Sequence, residues 1–273
     1  MSLFHFLLTY KESIKRILSL VKMTTSERCF GVRLMKVNFY ATCLGDVLKA
    51  DSARDTVLLL EKLGCEVLFQ ERQGCCGQPA LNSGYVNNAK PAMKSLIETL
   101  EVNDYPIISP AGSCTYAIKG YPTYLADEPQ WALRAQSVAD RLIDLTSFIV
   151  NTLGVVNVGA RLPGKAVYHP SCSLTRKLGV VSEPLTLLNH VEGLEMLPFA
   201  NSETCCGFGG TFSVKMSEIS GEMVTEKVKH IMDVSPDYVI GADTSCLINI
   251  QGRLSREKRP VKVLHIAQVL MSQ

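Results

Sequence analysis

Cys205-Cys206-Gly207 decides how this chain is read, because it has a twin at Cys75-Cys76-Gly77. Two adjacent cysteines followed by glycine are unusual once. Here they occur twice, 130 positions apart, and their surroundings repeat with them. Cys43 precedes the first pair by 32 positions and Cys172 precedes the second by 33. Cys114 follows Gly77 by 37 positions and Cys246 follows Gly207 by 39. Asn38 to Cys43 reads like Val167 to Cys172, and Gly64-Cys65-Glu66-Val67-Leu68 like Gly193-Leu194-Glu195-Met196-Leu197. A period of this length is too long for a solenoid unit, so it reads as two tandem domains.

Alternating strand and helix patterns fill both halves, which implies an α/β fold with a mainly parallel sheet flanked by helices in each. In the first half, strands are expected at Lys36 to Tyr40, Glu66 to Phe69 and Ile107-Ile108, with helices ending at Gly64 and covering 86–100. One long helical stretch, 130–153, separates the units, and a glycine-rich linker follows at 154–164. In the second half, strands are expected at 166–168, 195–197, 238–240 and 261–264. The boundaries read as an extension over 1–34, a first domain over 35–160 and a second over 161–273. Each cysteine segment follows a strand, at the loop edge where α/β folds place their sites.

Residues 1–34 stand outside the repeat. Phe4, Leu7, Leu8, Ile14, Ile17, Leu18 and Val21 recur at helical spacing among Lys11, Lys15, Arg16 and Lys22. One reading is a basic amphipathic helix touching a membrane or partner. Another is that the native start is Met35 and the upstream part is a translated extension. Cys29 lies there without a counterpart.

A chain of 273 residues, 47% hydrophobic and 20% charged, has the composition of a globular protein with a proper core. A formal charge of +2 carries no nucleic-acid signal. The basic run Arg253, Arg256, Lys258, Arg259 and Lys262 reads as a solvated loop. Ten cysteines are too few for a disulfide scaffold, so a reducing compartment with metal or redox chemistry is favoured. The apolar run Leu3 to Leu8 is far too short to span a bilayer.

Four thiolates drawn from three loops make a soft, anionic pocket that suits an iron–sulfur cluster or zinc. Neighbouring residues on an extended strand face opposite ways, so both members of a cysteine pair serve one site only if the chain turns there. Gly77 and Gly207 permit that turn, and successive N–H groups in it can face thiolate or sulfide charge. The expected metal ligands are therefore Cys43, Cys75, Cys76 and Cys114 in one unit, and Cys172, Cys205, Cys206 and Cys246 in the other. Buried inert cysteines, or a vicinal disulfide or dithiol at each pair, are the alternatives. Cys65 reads as buried and inert, because Leu194 takes its place in the second unit. His169 precedes Cys172 by three residues, but Tyr40 replaces it in the first unit, so it reads as packed or hydrogen-bonded in preference to a ligand or proton relay. No dinucleotide fingerprint is present, since position 212 is Phe.

These residues resemble the cysteine-rich CCG domain family, which includes one of the subunits of heterodisulfide reductase and the iron–sulfur subunit of glycolate oxidase. Met35-Lys36-Val37, Thr42 to Asp46, Gln73 to Pro79 and Glu203 to Gly210 are most similar to the branch of that family serving lactate utilisation. The resemblance covers Met35 to Gln273. It implies an iron–sulfur subunit of an L-lactate oxidation system, cytoplasmic or peripheral to the inner face of the membrane. It implies one or two 4Fe-4S clusters, or zinc in one domain. Its partners would be other iron–sulfur or accessory subunits and an external electron acceptor, with the chain itself non-catalytic or co-catalytic. A zinc-bound structural subunit and a heterodisulfide-reductase-like thiol–disulfide enzyme are the competing readings. The last cysteine of the family's Cys-x-x-Cys is Ala117 in the first unit and Asn249 in the second, which leaves four cysteines per unit.

Overall fold

The computed structural model describes residues 35–273. The amphipathic segment, the alternative start and Cys29 lie in 1–34, outside the described residues. The first unit runs β1 (Met35–Phe39), α1 (Cys43–Leu48), α2 (Ala50–Lys62), β2 (Cys65–Phe69), α3 (Gln78–Leu81), α4 (Val86–Leu100), β3 (Ile107–Ser109), α5 (Gly112–Lys119), α6 (Tyr121–Tyr124), α7 (Pro129–Arg141), β4 (Leu142–Asp144) and α8 (Leu145–Ser147). The second runs β5 (Arg161–His169), α9 (Ser182–Leu188), β6 (Glu192–Met196), α10 (Phe212–Lys215), α11 (Ser217–Met232), β7 (Tyr238–Gly241), α12 (Thr244–Arg256), β8 (Lys262–His265) and α13 (Ile266–Leu270). Short π-helical turns cover Phe148–Thr152 and Ser173–Lys177.

Each unit forms a four-stranded, wholly parallel sheet, in the order β2-β1-β3-β4 and β6-β5-β7-β8. The two orders are the same once each unit is counted from its own first strand. The duplication seen in the cysteines is thus a duplication of topology.

The helix expected over 130–153 is broken. It stops at Arg141, and Leu142–Asp144 pairs with Ile107–Ser109 as the edge strand. Leu142 and Asp144 are buried there, which a continuous helix would not achieve. The expected linker at 154–164 overlaps β5, which begins at Arg161 and pairs with Glu192. The single helix expected before Gly64 is two, joined at Lys49. The basic run is only partly loop, since Arg253 and Arg256 close α12 and Lys262 opens β8.

Strand alternation divides the core into three. In β1, Val37 and Phe39 face one side while Tyr40, just beyond it, faces the other. In β5, Ala166 and Tyr168 face one side and Val167 the other. The outer faces pack separately, against Met93, Leu96 and Ile118 in the first unit and Val224, Ile231 and Ile250 in the second. The inner faces join in one apolar core holding Val37, Phe39, Leu60, Phe148, Ala166, Leu187, Ile240 and Ile266. The repeats therefore share a core, with α2, α8, α9 and α13 between the two sheets.

Candidate metal centres

The first centre is assembled at the carboxyl ends of β1, β2 and β3. Cys43 opens α1, whose N-terminus is capped by Thr42 Oγ1 accepting from Gly45 N at 3.1 Å. Cys75 and Cys76 lie on the loop after β2, and Gly77 closes it at φ +77°, a left-handed conformation that suits glycine. Cys114 sits in the first turn of α5. The loop is pinned to the strand beside it. Gln73 Nε2 donates to Phe39 O at 2.6 Å, and Ala41 N donates to Gln73 Oε1 at 3.0 Å. Tyr40 Oη donates to Gly74 O at 3.1 Å, and Tyr121 Oη to Cys76 O at 2.8 Å.

This brings all four expected cysteines together. Cys43 and Cys75 Sγ are 3.7 Å apart, and Cys76 and Cys114 Sγ are 3.5 Å apart. A disulfide is about 2 Å long, so these are thiol contacts, and every described cysteine is free. The second unit repeats the pairing, Cys172 with Cys205 and Cys206 with Cys246. In both units the same two cysteines are buried (76 and 114, 206 and 246) and the same two are half-buried at the rim. Cys65 lies in β2 within the shared core, away from both clusters, and burial pushes its thiol up to about 11.

The thiols of each cluster differ in proton affinity. Hydrogen bonds from the Cys43 and Cys76 thiols and from Gly77 N–H hold Cys75 down to about 3. The same role falls to Cys205, held down to about 2 by Cys172, Cys206 and Gly207 N–H, with His169 adding to it. The partners move the other way. Cys43 and Cys172 are raised by that donation and by burial, and Cys76 and Cys206 likewise by their thiol neighbours and burial. One thiolate in each cluster is therefore favoured, while deprotonation of Cys43, Cys76, Cys172 and Cys206 is resisted. A cation that binds thiolates removes that resistance. Ligands at about 2.3 Å around a tetrahedral zinc stand about 3.8 Å apart, close to the sulfur spacings seen here. Donor chemistry and spacing both fit a thiophilic metal centre.

The two clusters face one another. A cavity of about 220 Å³ over the first is walled by Phe208, Gly210, Val214 and Asp243 of the second unit. A cavity of about 310 Å³ over the second is walled by Gln78, Asn82, Ser113 and Tyr116 of the first. Asp243 binds the units at this seam. Its Oδ1 accepts from Ser245 N at 3.1 Å, capping α12, and its Oδ2 accepts from Ser113 N at 2.7 Å, in the first turn of α5. His265 Nδ1 accepts from Ala267 N at 3.2 Å, so its Nε2 carries the proton and donates to Pro110 O at 2.8 Å.

The second centre holds three groups that the sequence reading did not place. His169 ends β5, is 1% exposed and has no hydrogen-bond partner at either ring nitrogen. Of the two readings of this residue, packed or hydrogen-bonded, the structure shows the first. Its ring and the Cys206 and Cys246 sulfurs place ligand atoms within 4.8 Å of one another, and burial pulls the imidazole down to about 3. Lys227 is fully buried in α11 and donates to Asn201 O and Ser202 O, both at 2.8 Å. Burial pulls it down to about 8, against the opposing pull of the Cys206, Cys205 and Cys246 thiols. Asn249 Nδ2 donates to Cys206 O at 2.7 Å. The repeat itself held a signal for Lys227. It stands 20 positions after Gly207, where the first unit has the apolar Ile97 20 positions after Gly77.

Comparisons with known proteins agree with this architecture. The cysteine-rich CCG domain model matches twice, over residues 37–119 and 166–251. Each match runs from a unit's first strand to the helix holding Cys114 or Cys246. An uncharacterized protein of Escherichia coli K12, YkgE, is 72% identical over 239 residues, 88% of this chain and 100% of that protein. Lactate utilization protein A of Bacillus subtilis 168 and that of Geobacillus sp. WCH70 are each 53% identical with the same coverage. A solved structure of a hypothetical protein from Helicobacter pylori matches with a TM-score of 0.57 at 12% identity, covering 96% of this chain and 53% of that one. That likeness is one of fold alone. Two family matches, one on each parallel sheet and each framing a four-cysteine cluster, establish that this chain belongs to the cysteine-rich CCG domain family.

Proposed function

We propose that this chain is an iron–sulfur electron-transfer subunit of a system that oxidises L-lactate or a close 2-hydroxy acid. The observation that carries the reading is the pair of facing four-cysteine clusters. The substrate follows from the relatives named lactate utilization protein A. Cys43, Cys75, Cys76 and Cys114 would hold one group, and Cys172, Cys205, Cys206 and Cys246 the other. Bound iron–sulfur clusters supply reversible one-electron transfer. The chain supplies thiolates, turns closed by Gly77 and Gly207, and a seam that shields each cluster with the other unit. Substrate chemistry then belongs to partner subunits, with an electron acceptor outside this chain. The domains divide at about residue 160, and the protein works in the cytoplasm or against the inner membrane face. Among the described residues, no helix is long and apolar enough to cross a membrane.

A second reading places zinc in one unit. The sulfur spacings of 3.7 and 3.5 Å favour it, being close to those around a single tetrahedral metal. Anaerobic purification followed by iron, sulfide and zinc analysis separates the two. The electron-transfer reading expects a brown protein with matching iron and sulfide. It also expects Cys206→Ser to remove a cluster signal and lactate-dependent growth. A colourless protein containing zinc alone overturns it and leaves a structural role in the complex.

A further inference from the structure

The two centres differ in one position that bears directly on metal binding. At the end of its central strand, three residues before the first cysteine, the first unit has Tyr40 and the second has His169. Tyr40 is satisfied, its phenol donating to Gly74 O at 3.1 Å. His169 is as deeply buried, yet neither ring nitrogen meets a protein donor or acceptor. A buried imidazole has one N–H and one lone pair to satisfy, and leaving both without partners is costly. Two cysteine sulfurs lie near the ring. Its ligand atom and those of Cys206 and Cys246 all lie within 4.8 Å of one another. Donors to one tetrahedral metal at about 2.1 Å for nitrogen and 2.3 Å for sulfur stand about 3.6 Å apart. A movement on the order of 1 Å brings the ring to that distance.

We infer that His169 is a metal ligand of the second centre, binding through one ring nitrogen beside Cys206 and Cys246. The two units then carry centres of different kinds, all-thiolate in the first and mixed imidazole–thiolate in the second. The inference rests on the reading that the second cluster of cysteines holds a metal. The metal is one that accepts both imidazole and thiolate, which zinc and cluster iron each do. Lys227 fits the same asymmetry, since a buried cation beside these thiolates further reduces the negative charge of this centre alone. If the metal is cluster iron, imidazole in place of one rim thiolate, Cys172 or Cys205, would raise its reduction potential.

X-ray absorption at the iron and zinc edges tests this on the full chain carrying Cys75→Ser and Cys76→Ser, so that only the second centre is loaded. The expected result is a nitrogen shell at about 2.0–2.1 Å beside the sulfur shell, with the outer-shell scattering of an imidazole ring. His169→Phe should remove the nitrogen shell, and His169→Cys should restore a full set of ligands as sulfur alone. A sulfur-only spectrum with His169 in place overturns the assignment, as does an empty second centre. If the double serine variant does not fold, the unmodified chain shows the same shell averaged over two sites, and its absence there overturns the assignment equally. Which edge responds is a separate result. Zinc without iron in the unmodified chain refutes electron transfer and leaves the His169 assignment standing.

Discussion

Asn249 donates its side-chain amide to the carbonyl oxygen of Cys206 at 2.7 Å, from the place where the family pattern carries a further cysteine. The first unit has Ala117 there, which can donate nothing, and Tyr121 reaches Cys76 O at 2.8 Å from the next helix instead. The two repeats hold the same carbonyl by different means. A residue that reads as a lost ligand is a clamp on the cysteine turn. Asn249→Ala leaves that carbonyl without a partner, at about 1–3 kcal/mol. The expected outcome is a melting temperature lower by several degrees and metal lost from the second centre while the first stays loaded. Tyr121→Phe should produce the mirror image. Metal content per centre and thermal denaturation check both. Full loading of the second centre in Asn249→Ala would show that the turn holds without its clamp.

Gly77 and Gly207 occupy equivalent positions but tolerate a methyl group differently. Both have left-handed backbones, at φ +77° and +83°, so alanine strains either by roughly 1 kcal/mol or more. Around Gly77 there is room, since an added Cβ would meet Ala89 Cβ at 3.5 Å. Around Gly207 there is none, with Ser220 O at 2.8 Å and Met223 Cβ at 3.0 Å. Gly207→Ala should therefore displace α11 or the turn, at a cost of several kcal/mol. Gly77→Ala should fold with its centre weakened. Equilibrium denaturation of the two variants ranks them, and equal losses would disprove the steric account.

Gly112 meets the other unit. A Cβ there would lie 2.7 Å from Leu174 Cβ and 3.0 Å from its Cα. In the second unit the matching position is Thr244, and the partner matching Leu174 is Gly45. Bulk has changed sides between the two pseudo-equivalent positions. Gly112→Ala should open the seam near Ser113, whose N–H is held by Asp243 at 2.7 Å, and cost about 1–3 kcal/mol. Pairing it with Leu174→Gly, which removes the Cβ at 2.7 Å, should recover part of that loss despite the cavity the second change creates. A double-mutant cycle measures the recovery. Strict additivity would mean the contact does not limit the approach of the units.

The repeat makes the eight clustered cysteines legible, because residues matched in register are compared within one chain. The same comparison shows two sheets of one topology. It could not show that the sheets share a core. Val37, Phe39, Ala166 and Ile240 are apolar at alternate positions, and alternation reports which face is buried and not what buries it. The edge strand β4 was hidden by its neighbours. Leu142-Ile143-Asp144 is three residues long and follows a helix whose apolar spacing continues through it. Its counterpart β8 is legible because a loop precedes it. Asn249 and His169 are visible as residues, but their roles depend on which atoms they meet.

β4 and β8 each end in a residue that caps the helix beyond, and the two respond to pH in opposite directions. Asp144 accepts from Thr146 N at 2.9 Å and Ser147 N at 3.2 Å. Burial pushes its carboxyl from the ordinary 3.8 up to about 6. Between those values the folded chain keeps a proton that the unfolded chain has released, so stability falls as pH rises through this window. Above it the buried carboxylate carries a fixed penalty on the order of 3 kcal/mol. His265 is displaced the other way, its imidazole lowered from 6.5 by burial. The unfolded chain then takes up a proton that the folded chain refuses, and stability falls as pH drops below 6.5. Asparagine caps about as well as aspartate. Asp144→Asn should therefore match the parent below about pH 4 and exceed it at pH 7. His265→Gln loses the bond to Pro110 at neutral pH but should weaken less than the parent on acidification. Urea denaturation of each variant beside the parent, from pH 4 to 8, subtracts whatever the metal centres contribute in common. If the Asp144→Asn difference stays flat across the range, the carboxyl is ionised throughout and its burial does not govern this slope.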